Sequence, residues 1–374
     1  MTAGAALRLA VALDGVPGGG PVREGPLPPQ AWSALAAEAE RGLLDLLTLD
    51  DAHGPAPDGG PRPEALQLAA ALGASTRWIG IAPTVTPTHA EPFHLSTGLA
   101  TLDFVTTGRA AALVRPGLDR AEDRNAGRLP TGRAERFAET EEAVEVIRAL
   151  WDSWEEGAEI RDAATGRFLD RSRVRPIHHR GRRFAVRGPS ITPRPPQGRP
   201  PVLVAVRDED SRRLAARCAD LALLTAADRD DARAQVEALR AAEAEVRRPG
   251  PPLLLFADRP VALDTDPRRA LARTPAGPGS FAGTPEAFAD SLLAWRSAGL
   301  DGVRLLPAAP ERDLPGIVRG LVPELQARGV FRRRYEGATL RARLGLPDPG
   351  KLPGSLPGEP PGDLPGDLPV GHLN

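Results

Sequence analysis

Cysteine and lysine occur once each in the 374 residues, as Cys218 and Lys351. A single cysteine excludes an intrachain disulfide. Its place in the apolar helical stretch LAARCAD assigns it to the interior rather than to nucleophilic work. Arginine has all but replaced lysine, and Ala, Gly and Pro are also abundant. That composition reads as GC-rich codon bias, so the arginines as a group carry no functional weight. No apolar run reaches membrane-spanning length. The early stretch LRLAVAL is short and followed at once by Asp14, which does not fit a secretory signal. A formal net charge of -1 offers nothing to nucleic acid or to an anionic membrane. A soluble cytoplasmic protein is expected. HExxH, CxxC and GxSxG are missing, and no GxGxxG opens a helix. The six histidines have no metal-ligand spacing in sequence, so no metal site is expected.

What is present is alternation. Apolar runs of strand length (LRLAVAL, LLDLLTLD, WIGIAPTV, GRAAALV, PVLVAV, LALLT, LLLFA, DGVRLL) are separated by stretches of helical period. Trp32, Leu35, Ala36, Ala39 and Leu43 share one helical face. Phe137, Val144, Ile147, Trp151 and Trp154 draw the clearest apolar stripe in the chain, and both tryptophans are expected in the core. About eight strand–helix pairs at this length predict a (β/α)8 TIM barrel over residues 1–346, with an open doubly wound sheet as the other solution. An Arg- and Pro-rich insertion, about residues 155–201, follows the fourth helix and contains VRPIHHRGRRFAVRGP, which reads as a surface hairpin. From 347 to 374 the chain repeats Leu-Pro-Gly and is expected to be disordered.

In a barrel, chemistry gathers at the C-terminal ends of the strands. That rule selects Asp50, Asp51 and His53 after strand two, Thr84 and Thr86 at strand three, Arg115 after strand four, and Arg207 with Asp208 after strand five. Asp51 and His53 are the candidate catalytic residues, and Asp50 with His53 could form an acid–base pair. The alternative is that these residues merely close a loop. The Gly-rich GVPGGGPV after strand one reads as a flexible loop. RDED, Arg207–Asp210, poses a sharper question. A helix start after a strand is a ready phosphate site, yet here three carboxylates and no glycine occupy it. Carboxylates there favour the helix dipole and repel a phosphate, so a self-capped helix is expected. The opposing solution is Arg207, joined by Arg115, gripping phosphate by charge. The run Arg332–Arg334 reads as solvated charge.

Several blocks, in order, are similar to one family: LAAEAERGLLDLLTLDD, STRWIGIAPTVTPTHAEPFHLSTGLATLDFVTTGRAA, RFAETEEAVEVIRALWDSWEEGA, RGPSITPRPPQGRP, GTPEAFADSLLAWRSAGLDGVRLL and YEGATLRARLGL. Over about residues 5–346 the chain resembles the nitrilotriacetate / dibenzothiophene-sulfone monooxygenase branch of the bacterial luciferase-like flavin monooxygenases. The resemblance implies a TIM barrel, reduced FMN from a separate flavin reductase, and oxygen as co-substrate. It also implies a C4a-(hydro)peroxyflavin that oxygenates a small organic substrate, and a homodimer. Asp51 and Thr84 match the family's residues after strands two and three. Arg115, Arg207 and Asp208 stand where the rest of the cofactor would be held. Leu113 replaces an asparagine, Phe137 a tyrosine, and Arg207–Glu209 a Gly-Ser-Ser phosphate loop. The segment before GTPE, which walls the substrate pocket in the family, is short here. These departures leave a flavin-free barrel acting as a binding or structural protein as the alternative. A barrel using the deazaflavin F420 would meet the same acidic loop.

Overall fold

The computed structural model describes residues 7–14, 28–54, 62–248 and 250–351. The Gly-rich loop GVPGGGPV and the tail from Leu352 onward lie outside them. Eight parallel strands form the barrel: β1 Arg8–Ala12, β2 Leu46–Leu49, β3 Gly80–Val85, β4 Ala112–Val114, β5 Val202–Val206, β6 Leu221–Leu224, β7 Leu254–Leu263 and β8 Gly302–Pro307. Each pairs with its sequence neighbours, β1 pairs with β8, and the ring closes. An open doubly wound sheet is thereby excluded. The helices between them are α1 Pro29–Arg41, α2 Ala65–Ser75, α3 Pro92–Val105, α4 Arg133–Asp152, α5 Glu209–Cys218, α6 Arg229–Glu245, α7 Pro285–Arg296 and α8 Pro310–Gly316. A short helix, Arg120–Asn125, precedes α4.

Strand alternation divides the residues into two shells. Leu9, Val11, Leu47, Leu49, Ile81, Val303 and Leu305 face outward and pack under the helices. Ala10, Leu46, Ala82, Leu113, Leu203, Leu221, Leu223 and Phe256 face inward and fill the barrel. The α4 stripe is buried as its period requires: Phe137, Val144, Ile147 and Trp151 all pack against the strands. The Trp151 indole N–H donates to the Ser96 carbonyl. Trp154 is only half-buried and donates to Ser190 O. Cys218 is buried, and loss of water around its thiol pushes the pKa up to about 12.

The insertion carries two hairpins rather than one. His179–Arg180 pairs with Ala185–Val186 where a hairpin is expected, and Glu159–Asp162 pairs with Arg167–Leu169. The second escapes pattern reading because its strands are short and largely exposed. At the insertion's end, Gln197 donates to Asp103 and to Ala110 O, and its carbonyl accepts from Arg341 N–H. That residue ties the insertion to the segment after β8.

The segment after β8 plugs the barrel's N-terminal end. Leu340, Leu344 and Leu346 join the inward cluster. Gly80 makes room for them, since a Cβ there would lie 2.7 Å from a Leu340 methyl. The chain then makes a turn at Pro349–Lys351, so the expected disordered tail begins with an ordered stretch. Arg332 also departs from expectation. It is mostly buried and pairs with the fully buried carboxylate of Asp45, which in turn accepts from Leu9 N–H.

Candidate active site at the C-terminal mouth of the barrel

The inward positions change character toward the C-terminal end. Below, they are Leu, Ala and Phe. Above, alternation brings Thr48, Thr84, Asp258 and Arg304 inward. Arg304 meets Asp258 in a two-pronged ion pair, with both N–O distances 2.7 Å, and Arg304 is within 3.4 Å of Thr48 Oγ1. Burial alone would lower the Arg304 pKa, but the Asp258 carboxylate raises it, and the net direction is upward. The Arg207 guanidinium reaches to 4.0 Å from Asp258 and donates to Thr225 Oγ1. Thr84 is different from all of these: its hydroxyl is buried and has no hydrogen-bond partner. A buried hydroxyl left unmatched costs about 1–3 kcal/mol, so this position is prepared for a polar group that the described residues do not supply.

Asp258 and Arg304 were not selected from the sequence. Each sits inside an apolar strand, LLLFADRP and DGVRLL, that reads as packing. The signal was available: an isolated acid and an isolated base within two buried strands each need a partner.

The loop after β5 is closed on itself. Asp208 caps α5, its Oδ1 accepting from Ser211 N–H at 2.9 Å. Ser211 Oγ accepts from the N–H groups of Arg207 and Asp208 at 2.9 and 3.0 Å. Arg133 then bridges the carboxylates of Asp208 and Asp210 and lies 5.0 Å over the Phe137 ring. The amides of Arg207, Asp208 and Ser211 are thus already used. Replacing Asp208 with alanine removes the cap and is expected to cost about 0.5–2 kcal/mol of stability, measurable as a lower urea midpoint with an unchanged slope.

The loops after β2, β3 and β4 form a second polar group. Among the described residues Asp51 meets backbone and no partner side chain: Oδ1 accepts from Ala52 N–H and Oδ2 from Ala65 N–H, closing the loop onto α2. Asp50 pairs with Arg62 and its N–H donates to Asp14, so it is not the partner of His53. The His53 ring instead lies edge-on to His89, 4.7 Å between centroids. His89 Nε2 bonds Asp123 Oδ1 at 3.0 Å. Arg136 binds both Asp123 oxygens and holds that carboxyl below the usual range, with the His89 bond adding to the effect. Burial lowers the pKa of His89, against the pull of Asp123 and Glu122. Arg115 is paired with Glu122. Of the residues selected from sequence, His53 and Arg115 therefore meet in one cluster and Arg207 and Asp208 in another. His89, Glu122, Asp123 and Arg136 complete the first and were missed, because three separate loops supply it.

A polar mouth over an apolar, plugged barrel suits a flat ligand with polar edges. Among the described residues, no helix is long and apolar enough to cross a membrane. The sequence profile of luciferase-like monooxygenases matches residues 8–281. Nitrilotriacetate monooxygenase component A of Aminobacter aminovorans is 31% identical, covering 86% of this chain and 90% of that protein. N-acetyl-S-(2-succino)cysteine monooxygenase of Bacillus subtilis is 29% identical over 85% of this chain and 90% of its own. The solved structure of a long-chain alkane monooxygenase superposes with a TM-score of 0.84 at 24% identity, covering 94% of this chain and 98% of that one, and so supports the fold. The chain belongs to the luciferase-like monooxygenase family and is, by kind, a flavin-dependent monooxygenase.

Proposed function

We propose that this chain is the oxygenase of a two-component system. It takes reduced FMN from a separate reductase, works as a homodimer, and transfers one atom of O2 to a small organic substrate while the other leaves as water. Family membership supports the reaction class, the reductase and the dimer. The unpartnered, buried hydroxyl of Thr84 carries the cofactor reading. Bound reduced FMN supplies the two electrons that activate O2. Thr84 would bond a polar edge of the ring. The Arg304–Asp258 pair stiffens the pocket beneath it, and the apolar layer below excludes water. At the ring end Thr84 suits a flavin, while Leu113, inward-facing and apolar, offers it no hydrogen bond. At the phosphate end the residues fit only through arginine: Arg207, turned from Thr225, with Arg115 at the end of the neighbouring strand β4.

One observation favours the second reading, a barrel that binds no flavin. The Arg207 and Asp208 amides after β5 are occupied by Ser211, and two carboxylates stand beside them. An anaerobic titration with reduced FMN, followed by calorimetry, separates the two. Micromolar binding is expected, weakened roughly tenfold or more in Arg207→Ala and by about two- to tenfold in Thr84→Val, since a hydrogen bond to a charged group contributes about 1.5–3 kcal/mol and a neutral one about 0.5–1.5. Folded protein that fails to bind reduced flavin at millimolar concentration would sink the oxygenase reading and leave the second.

A further inference from the structure

We propose that His53, His89 and Glu122 form a binding site for a first-row divalent metal ion, best matched by Zn²⁺, between the loops after β2, β3 and β4. One potential ligand atom from each residue lies within 4.8 Å of the others. A Zn²⁺ with bonds of about 2.0–2.2 Å needs its ligand atoms roughly 3.3 Å apart. The remaining gap closes by side-chain rotation, and His53, which is exposed, is free to make it.

His89 is already arranged as a metal ligand. Its side chain is 0% exposed. Nε2 meets Asp123, whose two oxygens are also bound by Arg136, which keeps that carboxylate an acceptor. The ring proton therefore belongs on Nε2, and Nδ1 carries a bare lone pair. Among the described residues Nδ1 has no hydrogen-bond partner, although it is buried. Glu122 Oε2 is 3.9 Å away, beyond hydrogen-bond reach. A hydrogen-bonded cluster with no ion would put a donor there. A carboxylate behind the far nitrogen of an imidazole is the arrangement that orients histidine toward a metal.

The supporting parts are specific to this ring. Gly117 packs against it so closely that a Cβ would lie 2.4 Å from His89 Cε1. Asn125, on the helix that carries Glu122, holds the His53 backbone carbonyl at 2.7 Å and so fixes one ligand loop to another. Two imidazoles and a carboxylate suit Zn²⁺ and its neighbours and leave a coordination position open. Arg115, paired with Glu122, opposes the ion and keeps affinity below that of a closed four-ligand site.

The test uses the full chain, tag-free and stripped with a chelator, titrated with Zn²⁺ in a calorimeter and with Co²⁺ by visible absorption. One equivalent is expected to bind with micromolar affinity, and Co²⁺ should develop ligand-field bands. His53→Ala leaves the fold intact because the side chain is exposed, and it should weaken binding at least tenfold. Glu122→Gln should do the same, while His94→Ala, exposed on α3, should change nothing. No saturable binding by wild-type protein, or binding at one equivalent that survives His53→Ala, would overturn the site. Neither readout depends on flavin.

Discussion

Replacing Arg304 with methionine is expected to destabilise the protein by about 3–5 kcal/mol, the usual cost of leaving one member of a buried ion pair alone. Asp258 is only 3% exposed, so its carboxylate cannot turn to water when the guanidinium is gone. Its other cation, Arg207, is 4.0 Å away and half-exposed, too far and too well hydrated to substitute. Asp258→Asn should cost less, because the amide oxygen still accepts from Arg304. The double change Arg304→Met with Asp258→Leu should recover most of the loss, since an apolar pair of similar volume needs no partner. Urea unfolding followed by tryptophan fluorescence reads all three. If the double variant is as unstable as Arg304→Met, the cost comes from packing and not from the orphaned charge.

Leu344→Ala is expected to cost about 2–5 kcal/mol, as for other buried leucines. Leu344 is 0% exposed, as is its neighbour Leu340. Both sit in the barrel's inward cluster beside Leu46, Ala82 and Phe256, and the chain around them is fixed by other bonds. Arg8 donates to the Leu344 carbonyl, and Arg341 donates to Pro347 O and Arg199 O. These bonds prevent the segment from collapsing into the space left by the lost methyls, which puts the cost at the upper end. Leu340→Ala with Leu344→Ala should be less than additive, because the two residues line one shared void. Equal and fully additive losses would mean that the plug makes independent contacts.

The barrel was legible because strand and helix periods are local. Eight apolar runs alternate with helical stretches, and each run is a strand in the structure. Strand four is shorter than GRAAALV suggests, with regular pairing only at Ala112–Val114 and a single bridge at Ala110. Strand seven is longer, because its Asp258 and Arg259 read as an end and are in fact buried within it. The mouth was legible only in outline. The barrel rule placed Asp51, His53, Thr84, Arg115, Arg207 and Asp208 at the C-terminal ends of the strands, where they lie, but did not give their partners. His89 meets Asp123 across 34 residues, and Arg304 meets Thr48 across 256. No local pattern encodes such distances. Asp51 is instructive here: a matching residue type at a matching place turned out to hold a backbone turn. The cap in RDED was legible, because a cap and its first turn lie within one stretch of sequence, whereas the Arg133 bridge across it comes from 75 residues away.

The plug at the foot of the barrel has a bearing on synthesis. It follows β8 in the chain, so every strand leaves the ribosome before the residues that close the floor. The first strand waits longest, since one of its two neighbours is β8. Until then the nascent ring holds an open seam and an apolar throat, both competent to pair with another chain. Completion of the barrel is thus a late event, and a pause or truncation shortly before Leu340 would release a molecule with all eight strands and no floor.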